Sequence, residues 1–487
     1  VVVALLLVSP GAAALSVVTT TPLLNASNQL ATTPIEVAFD RALDPATVTA
    51  TSVRVFGHQR GPLPASAVAL TDGNRRLTIT PPQPFFPGEL VSINLGNQLR
   101  GADGSPMRQA GYAFQYTVRA RAASMGFTRI DTVSVRTSSA STRLYGGSFA
   151  DLDRDAWVDY IAINEVSADL RVMLNRADGS GRLGPVLTPP PAIGLEASPS
   201  EVGDYDNDGL IDIVTSNSSS NSVSIARGLG NGRFVVAPQI PVATRPHGNA
   251  VLDIDGDADW DLVVATENGN TLTILRNDGN GGFGNRVDRD SGGNGEYALA
   301  SGDMNHDGII DLVVGTRNDN RVIVLLGNGD GSFTDTTNVA GGGLLWKLVL
   351  GDVDGDRDLD VASVNGQSNN GAILRGDGAG ALGAARLYPF QGQMVATDLG
   401  DLDGDGDLDW VTSSFGASRW YVLRNDGTGE FGAHSQIAAP RNASCASLYD
   451  FDNDGDLDMV LADEIDDVVL LMRNGAHELF LDGFEPN

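Results

Sequence analysis

Residues 16 to about 120 alternate apolar and polar positions in short runs: PIEVAFDRAL, SVRVFG, RRLTITPP, LVSINLG and AFQYTV. Alternation with period two buries one face of a strand. The Pro, Gly, Asn and Asp clusters between the runs are turns, so this stretch predicts antiparallel strands in one β-sandwich. From about residue 127 the pattern changes. Runs such as DIVTSN, DLVVAT, DLVVGT and DVASVN are too short and too β-branched for helices. In the unit that contains DLVVGT, the strand EYALASGD precedes an acidic loop, and RVIVLLG and a Gly-rich turn follow. A Gly-x-Phe turn recurs around Phe234, Phe283, Phe333 and Phe431.

The acidic loop sets the period. It recurs as DLDRDAWVD, DYDNDGLID, DIDGDADWD, DMNHDGIID, DVDGDRDLD, DLDGDGDLD and DFDNDGDLD, starting at residues 151, 204, 253, 303, 352, 401 and 450. Successive starts lie 53, 49, 50, 49, 49 and 49 residues apart. Seven copies in register mark a repeated structural unit. Four strands in about 49 residues match a propeller blade, which hides its apolar faces against its neighbours. The chain is therefore expected to be all-β, a seven-bladed β-propeller preceded by a β-sandwich. The expected boundaries are residues 1–15 for a partial signal peptide, 16–120 for the sandwich, 121–126 for a linker and 127–487 for the propeller.

Carboxylates this close repel, so the loop needs screening solvent or a bound cation. GDLDGDGDLD contains no Lys or Arg to answer its five Asp. Acids at loop positions 1, 3, 5 and 9, with Gly where the backbone turns, converge hard oxygens on one point, which is calcium chemistry. The expected ligands are Asp151, Asp153, Asp155 and Asp159; Asp204, Asp206, Asp208 and Asp212; Asp253, Asp255, Asp257 and Asp261; Asp303, Asn305, Asp307 and Asp311; Asp352, Asp354, Asp356 and Asp360; Asp401, Asp403, Asp405 and Asp409; and Asp450, Asp452, Asp454 and Asp458. One Ca²⁺ per unit would offset nearly half of the formal net charge of −30. Occupancy is expected to fall in acid, because the ligands must be deprotonated.

That acidity argues against nucleic acid as a partner. Lys347 is the only lysine among 32 basic residues, and Cys445, in SCASLYD, is the only cysteine, which excludes an internal disulfide framework. VVVALLLV followed by SPGAAAL reads as the apolar core and small-residue cleavage site of a secretory signal, with cleavage near Ala12 to Ala14. It is too short to span a bilayer, so no transmembrane segment is expected in the mature chain, and a secreted or cell-surface bacterial location is.

On these motifs the repeats resemble the FG-GAP or VCBS family, the calcium-loop blades of the integrin α-subunit head and of many secreted bacterial proteins. DxDxDGxxD is met in full at Asp204, Asp401 and Asp450. The sandwich resembles the bacterial Ig-like domains, which imply a spacer. The resemblance implies the four side chains in each loop plus the position-7 carbonyl as ligands, with Asp358, Asp407 and Asp456 pointing outward. Ala156, Ala258 and Arg357 stand where the motif prefers Gly, and Asn305 replaces an Asp; weaker binding is expected at the loops starting at Asp151, Asp253 and Asp303. Such saturated sites imply structural ions. The expected function is a calcium-stabilised binding or adhesion protein whose partner is a glycan or a protein surface. The alternative is a hydrolase or lyase on the same scaffold, a phytase-like phosphatase or a polysaccharide lyase. No GxSxG, HExxH or Walker-type loop is present.

Two expectations concern tertiary structure. Residues 127–135 resemble a fourth strand and would close the ring against the last unit, with 479–485 as the competitor. The variable loops on the face away from the acidic loops, near Arg245, His247 and Trp346, would carry the partner site.

Overall fold

The computed structural model describes residues 13–475, so most of the expected signal segment and the competing tail strand lie outside the described residues. Apart from two 3₁₀ turns, the described regular structure is all β. No helix among these residues is long and apolar enough to cross a membrane.

The first domain packs two sheets face to face. One has the order Val17–Thr21, Ile35–Phe39, Arg76–Ile79, Val68–Thr71. The other has the order Ala26–Gln29, Tyr112–Val118, Leu90–Leu95, Val53–Gly57, Gly61–Pro62. The alternation in the sequence places Ile35, Val37, Leu77, Ile79, Val91, Ile93 and Phe114 in the shared core, all fully buried.

Seven further sheets follow. Each begins with a strand that runs into its acidic loop: Leu144–Ala150, Ala197–Gly203, Pro246–Leu252, Glu296–Gly302, Leu345–Gly351, Met394–Gly400 and Ala443–Tyr449. The second strand starts at the last Asp of the loop and is buried along its whole length in all seven units, from Asp159–Asn164 to Asp458–Asp463. A middle strand flanked by strands on both edges and by neighbouring sheets on both faces has no exposed side, which is why these runs are unbroken rather than alternating. First strands pack on one another in succession, and the seventh packs on the first. A shared core joins the last unit to the first: Val460, Val469 and Leu471 pack with Leu144, Tyr160 and Met173.

Thr128–Ser134 pairs antiparallel with Val468–Arg473, as the fourth strand of the last sheet. The ring-closing strand therefore comes from the segment ahead of the first unit, as expected. The first unit departs from the four-strand expectation, having three strands. Pro189, Pro190 and Pro191 fall where its fourth strand would lie, and proline cannot donate to a ladder. That segment keeps single bonds instead, Leu187 N–H to Val172 at 2.8 Å and Leu170 N–H to Pro191 at 3.1 Å.

Candidate metal centres and the two faces of the ring

All seven acidic loops share one internal wiring. The position-1 carboxylate accepts the backbone N–H of position 6 at 2.7–3.1 Å. The position-5 carboxylate accepts the N–H of position 7 at 2.8–3.1 Å. To wind so tightly, positions 4 and 6 both adopt φ of +56° to +103°. The motif's preference for Gly at position 6 is thus conformational, and Ala156, Ala258 and Arg357 hold that left-handed geometry at a cost of about 1 kcal/mol each.

Position 9 is tied most firmly. One oxygen accepts the N–H of position 2 at 2.8–3.3 Å. The other accepts an N–H sixteen residues on, at the end of the third strand, at 2.7–2.9 Å. These seven Asp are at most 1 % exposed. Burial raises their carboxyls to about 8 at Asp159 and Asp311, about 9 at Asp458 and about 7 at Asp212, Asp360 and Asp409, against the backbone donors that hold them down. Burial likewise raises Asp204, Asp253 and Asp450 at position 1 to about 7.

Asp151, Asp153 and Asp159 bring carboxylate oxygens within 4.8 Å of one another, as do Asp204, Asp206 and Asp212; Asp253, Asp255 and Asp261; Asp352, Asp354 and Asp356; and Asp401, Asp403 and Asp409. The position-3 acids carry the clearest mark of a cation. In units 2, 3 and 5, Oδ2 of Asp206, Asp255 and Asp354 faces an arginine, Arg227 at 3.4 Å, Arg276 at 3.3 Å and Arg375 at 2.8 Å. Oδ1 of each is buried with no hydrogen-bond donor. A buried carboxylate oxygen without a donor is costly, and an all-oxygen cluster of this kind fits a hard divalent cation. In unit 4, Asn305 Nδ2 instead donates to Asp307 at 3.2 Å, so this loop satisfies part of its own charge.

Three features escaped the motif. Arginines 21 residues after position 3 answer the acids, including Arg424 to Asp403 at 2.6 Å and Arg473 to Asp452 at 2.6 Å; the fixed offset in five units was the available signal. Asn277, Asn425 and Asn474 donate to the position-2 carbonyl of the preceding unit, and Asn175 makes the same bond across the ring closure to Phe451, all at 2.7–2.8 Å. Asp456, expected to point outward, is instead 5 % exposed, and burial raises it to about 7.

The spacer expectation is also corrected. The Ig-like domain sits on the acidic loops. Gln59 O accepts Asp151 N–H, Asn97 N–H donates to Gly256, Ala113 N–H donates to Gly308, and Asn25 Nδ2 donates to Asp303 O, at 2.7–3.0 Å. Arg54 pairs with Asp259 at 2.6 Å and also bonds Asn207. Residues 121–126 are not a free tether: Arg121 N–H donates to Gly455 and Ala123 N–H to Asp403. None of these bonds uses a position-7 carbonyl, so the expected backbone ligands stay available.

The opposite face has no such cover among the described residues. His247 stacks on Tyr297 with ring centroids 3.6 Å apart, and Trp346 Nε1 donates to the Tyr145 hydroxyl at 2.8 Å. Arg317 lies over Tyr297 and Trp346 at 4.3 and 4.4 Å and pairs with Glu267, which also holds Arg245. Burial lowers His247 to about 3, so it is neutral. The expected trio of Arg245, His247 and Trp346 is thus one packed cluster, whereas Trp420 is core. Cys445 is half-buried. Asn25 and Asn217, both in glycosylation sequences, are buried and bonded.

Comparison with known proteins agrees with this geometry. The bacterial Ig-like domain profile matches residues 12–118. No curated protein matches the chain in sequence. Among solved structures, BBS1N in complex with ARL6DN is 14 % identical, with TM-score 0.50 over 71 % of this chain and 96 % of that one. A Lactobacillus plantarum protein is 11 % identical, with TM-score 0.48 over 80 % and 97 %. An Agrocybe aegerita lectin described as recognising non-reducing terminal N-acetylglucosamine is 17 % identical, with TM-score 0.45 over 87 % and 94 %. The profile of the FG-GAP-like repeat matches six overlapping segments, 151–215, 204–264, 253–314, 303–363, 352–412 and 401–461, each starting on the first Asp of a loop. With the repeat profile spanning most of its length, the chain belongs to the FG-GAP-like repeat family and carries a bacterial Ig-like domain ahead of its repeats.

Proposed function

We propose that this is a secreted or cell-surface bacterial binding protein: a seven-bladed propeller, stiffened by one Ca²⁺ per unit, that offers a glycan or protein partner the face away from the metal loops. The observation that carries the reading is the seating of the Ig-like domain. It occupies the acidic-loop face and leaves the loops around Asn318, Gln367 and Asn369 exposed at the other end of the ring. Those loops differ from unit to unit, whereas the acidic loops repeat, and a unique site is built where the fold permits variation. The phosphatase alternative needs basic groups free around its cations. Here the nearby arginines are engaged by position-3 acids.

Two measurements test the reading. Metal analysis of the purified chain is expected to find Ca²⁺ at several equivalents, and a stoichiometry of two or fewer sinks the calcium assignment. Glycan- and protein-array binding is expected to be lost when Asn318, Gln367 and Asn369 are changed together to Ala, with metal content unchanged. Retained binding would move the partner site elsewhere.

A further inference from the structure

The first strands of the seven units line an axial cavity of about 400 Å³, within the range of small-molecule sites. His58, Leu90 and Gln115 of the Ig-like domain contribute to its wall at the acidic-loop end. At the other end stand Tyr145, His247 and Trp346, each six residues before its loop's first Asp; Tyr297 holds the same place in unit 4 and packs behind His247 and Trp346.

Between these ends the units are unequal. Five residues before the loop, unit 5 carries Lys347 where the other six have Gly, Pro, Ala or Cys. Three residues before the loop, units 2 and 6 carry Glu201 and Asp398 where the other five have Ser, Ala or Val. All three charged residues line the cavity. Sister strands form the same sheet without them, so the fold does not require them. Burial raises Glu201 to about 7 and Asp398 to about 6, with Lys347 opposing the rise. Among the described residues, no ion pair within 4.0 Å joins Lys347 to either acid. His58 is held neutral by burial, its pKa lowered to about 4, as His247 is.

With Glu201 and Asp398 both ionised, the cavity sets two carboxylates against one ammonium group, and one positive charge is wanting. Its far end is aromatic, and aromatic faces attract cations; Tyr297 and Trp346 already hold Arg317. Ser200, Asn249 and Ser301 add hydrogen-bonding groups along the wall. We propose that the axial cavity is a binding site for a small organic cation, an amine or alkylammonium, whose charge is received by Glu201 and Asp398 beneath the aromatic side chains of Tyr145 and Trp346. This site is separate from the exposed loops assigned above to a macromolecular partner.

Isothermal titration of the full chain in calcium-saturated buffer tests the site, with putrescine and tetramethylammonium as probes and acetate as the anionic control. One saturable site for an ammonium probe is expected, weakened about tenfold or more in the Glu201→Gln/Asp398→Asn variant. Both changes keep side-chain shape but leave Lys347 without its two acids, so a thermal melt of the variant checks that it is folded before it is titrated. Lys347→Met, which leaves both acids unanswered, is expected to tighten the ammonium probe. No saturable binding of either probe, equal affinity in the double variant, or preference for acetate would each overturn the proposal.

Discussion

In units 2, 3 and 5 the two inner carboxylates of the loop have separable roles. The position-9 Asp holds two backbone donors, whereas position 3 presents an oxygen that meets no donor. Asp261→Asn places an amide against an N–H it must accept, and is expected to cost about 1–3 kcal/mol even in chelator. Asp255→Asn is expected to be near neutral in chelator and to lose the stabilisation that Ca²⁺ confers. Denaturant titration with and without chelator reads both. The raised carboxyls fix the sign of the pH response. A folded pKa of about 7 to 8, as at Asp204, Asp253, Asp159 and Asp311, against 3.8 unfolded, means that the ion-free fold is favoured in acid and loses stability as pH rises from about 4 through 8. Saturating Ca²⁺ is expected to abolish that loss near neutral pH and to bind progressively less well in acid. Thermal melts across pH, with and without chelator, check this; an ion-free protein that gains stability toward alkaline pH would contradict it. Positions 1, 3, 5 and 9 were legible because they lie within nine residues. The arginines that answer position 3 come from another strand, so no reading of the loop alone reveals them.

At the scale of elements, the ring is closed by a strand borrowed from ahead of the first unit. Asp467 secures it. Fully buried on its side chain, it accepts Arg136 Nε at 2.7 Å, the Ser141 hydroxyl at 2.9 Å, both Thr142 donors at 2.9–3.0 Å and Leu144 N–H at 3.1 Å. Burial works against its charge, but these donors outweigh it and hold the carboxyl below its usual value. Asp467→Ala would strand them together and is expected to cost about 3 kcal/mol, against about 0.5 or less for the half-exposed neighbour in Asp466→Ala. The denaturation midpoint distinguishes the two, and equal effects would show that Asp467 is not the clasp. The closing strand itself was readable from its likeness to the other fourth strands. The missing fourth strand of unit 1 was marked by three prolines, whose effect depends on the edge they occupy.

On the scale of the whole molecule, the Ig-like domain is bonded to the repeat ring. Backbone bonds and Arg54 and Arg60 join the domain to loops of several units, with Arg60 to Asp151 at 3.2 Å. A single calorimetric transition is expected for the calcium-loaded chain. Replacing Arg54, Arg60 and Arg121 by Ala is expected to separate a second, lower transition and to hasten proteolysis between residues 118 and 128. A single transition unchanged by these substitutions would show that the docking adds little.

What the sequence by itself determined is everything encoded at short range or by repetition: the number of units, strands covered on both faces, and a loop whose nine residues place their own carboxylates. The tertiary structure alone decided the pairings between distant positions. Asn25 reaches Asp303, Arg54 reaches Asp259, and Glu201, Lys347 and Asp398 meet around one cavity from strands far apart in the chain. Such contacts obey the packing of whole units and domains, so no local period carries them, and they leave a spacer module looking the same in sequence as a docked one.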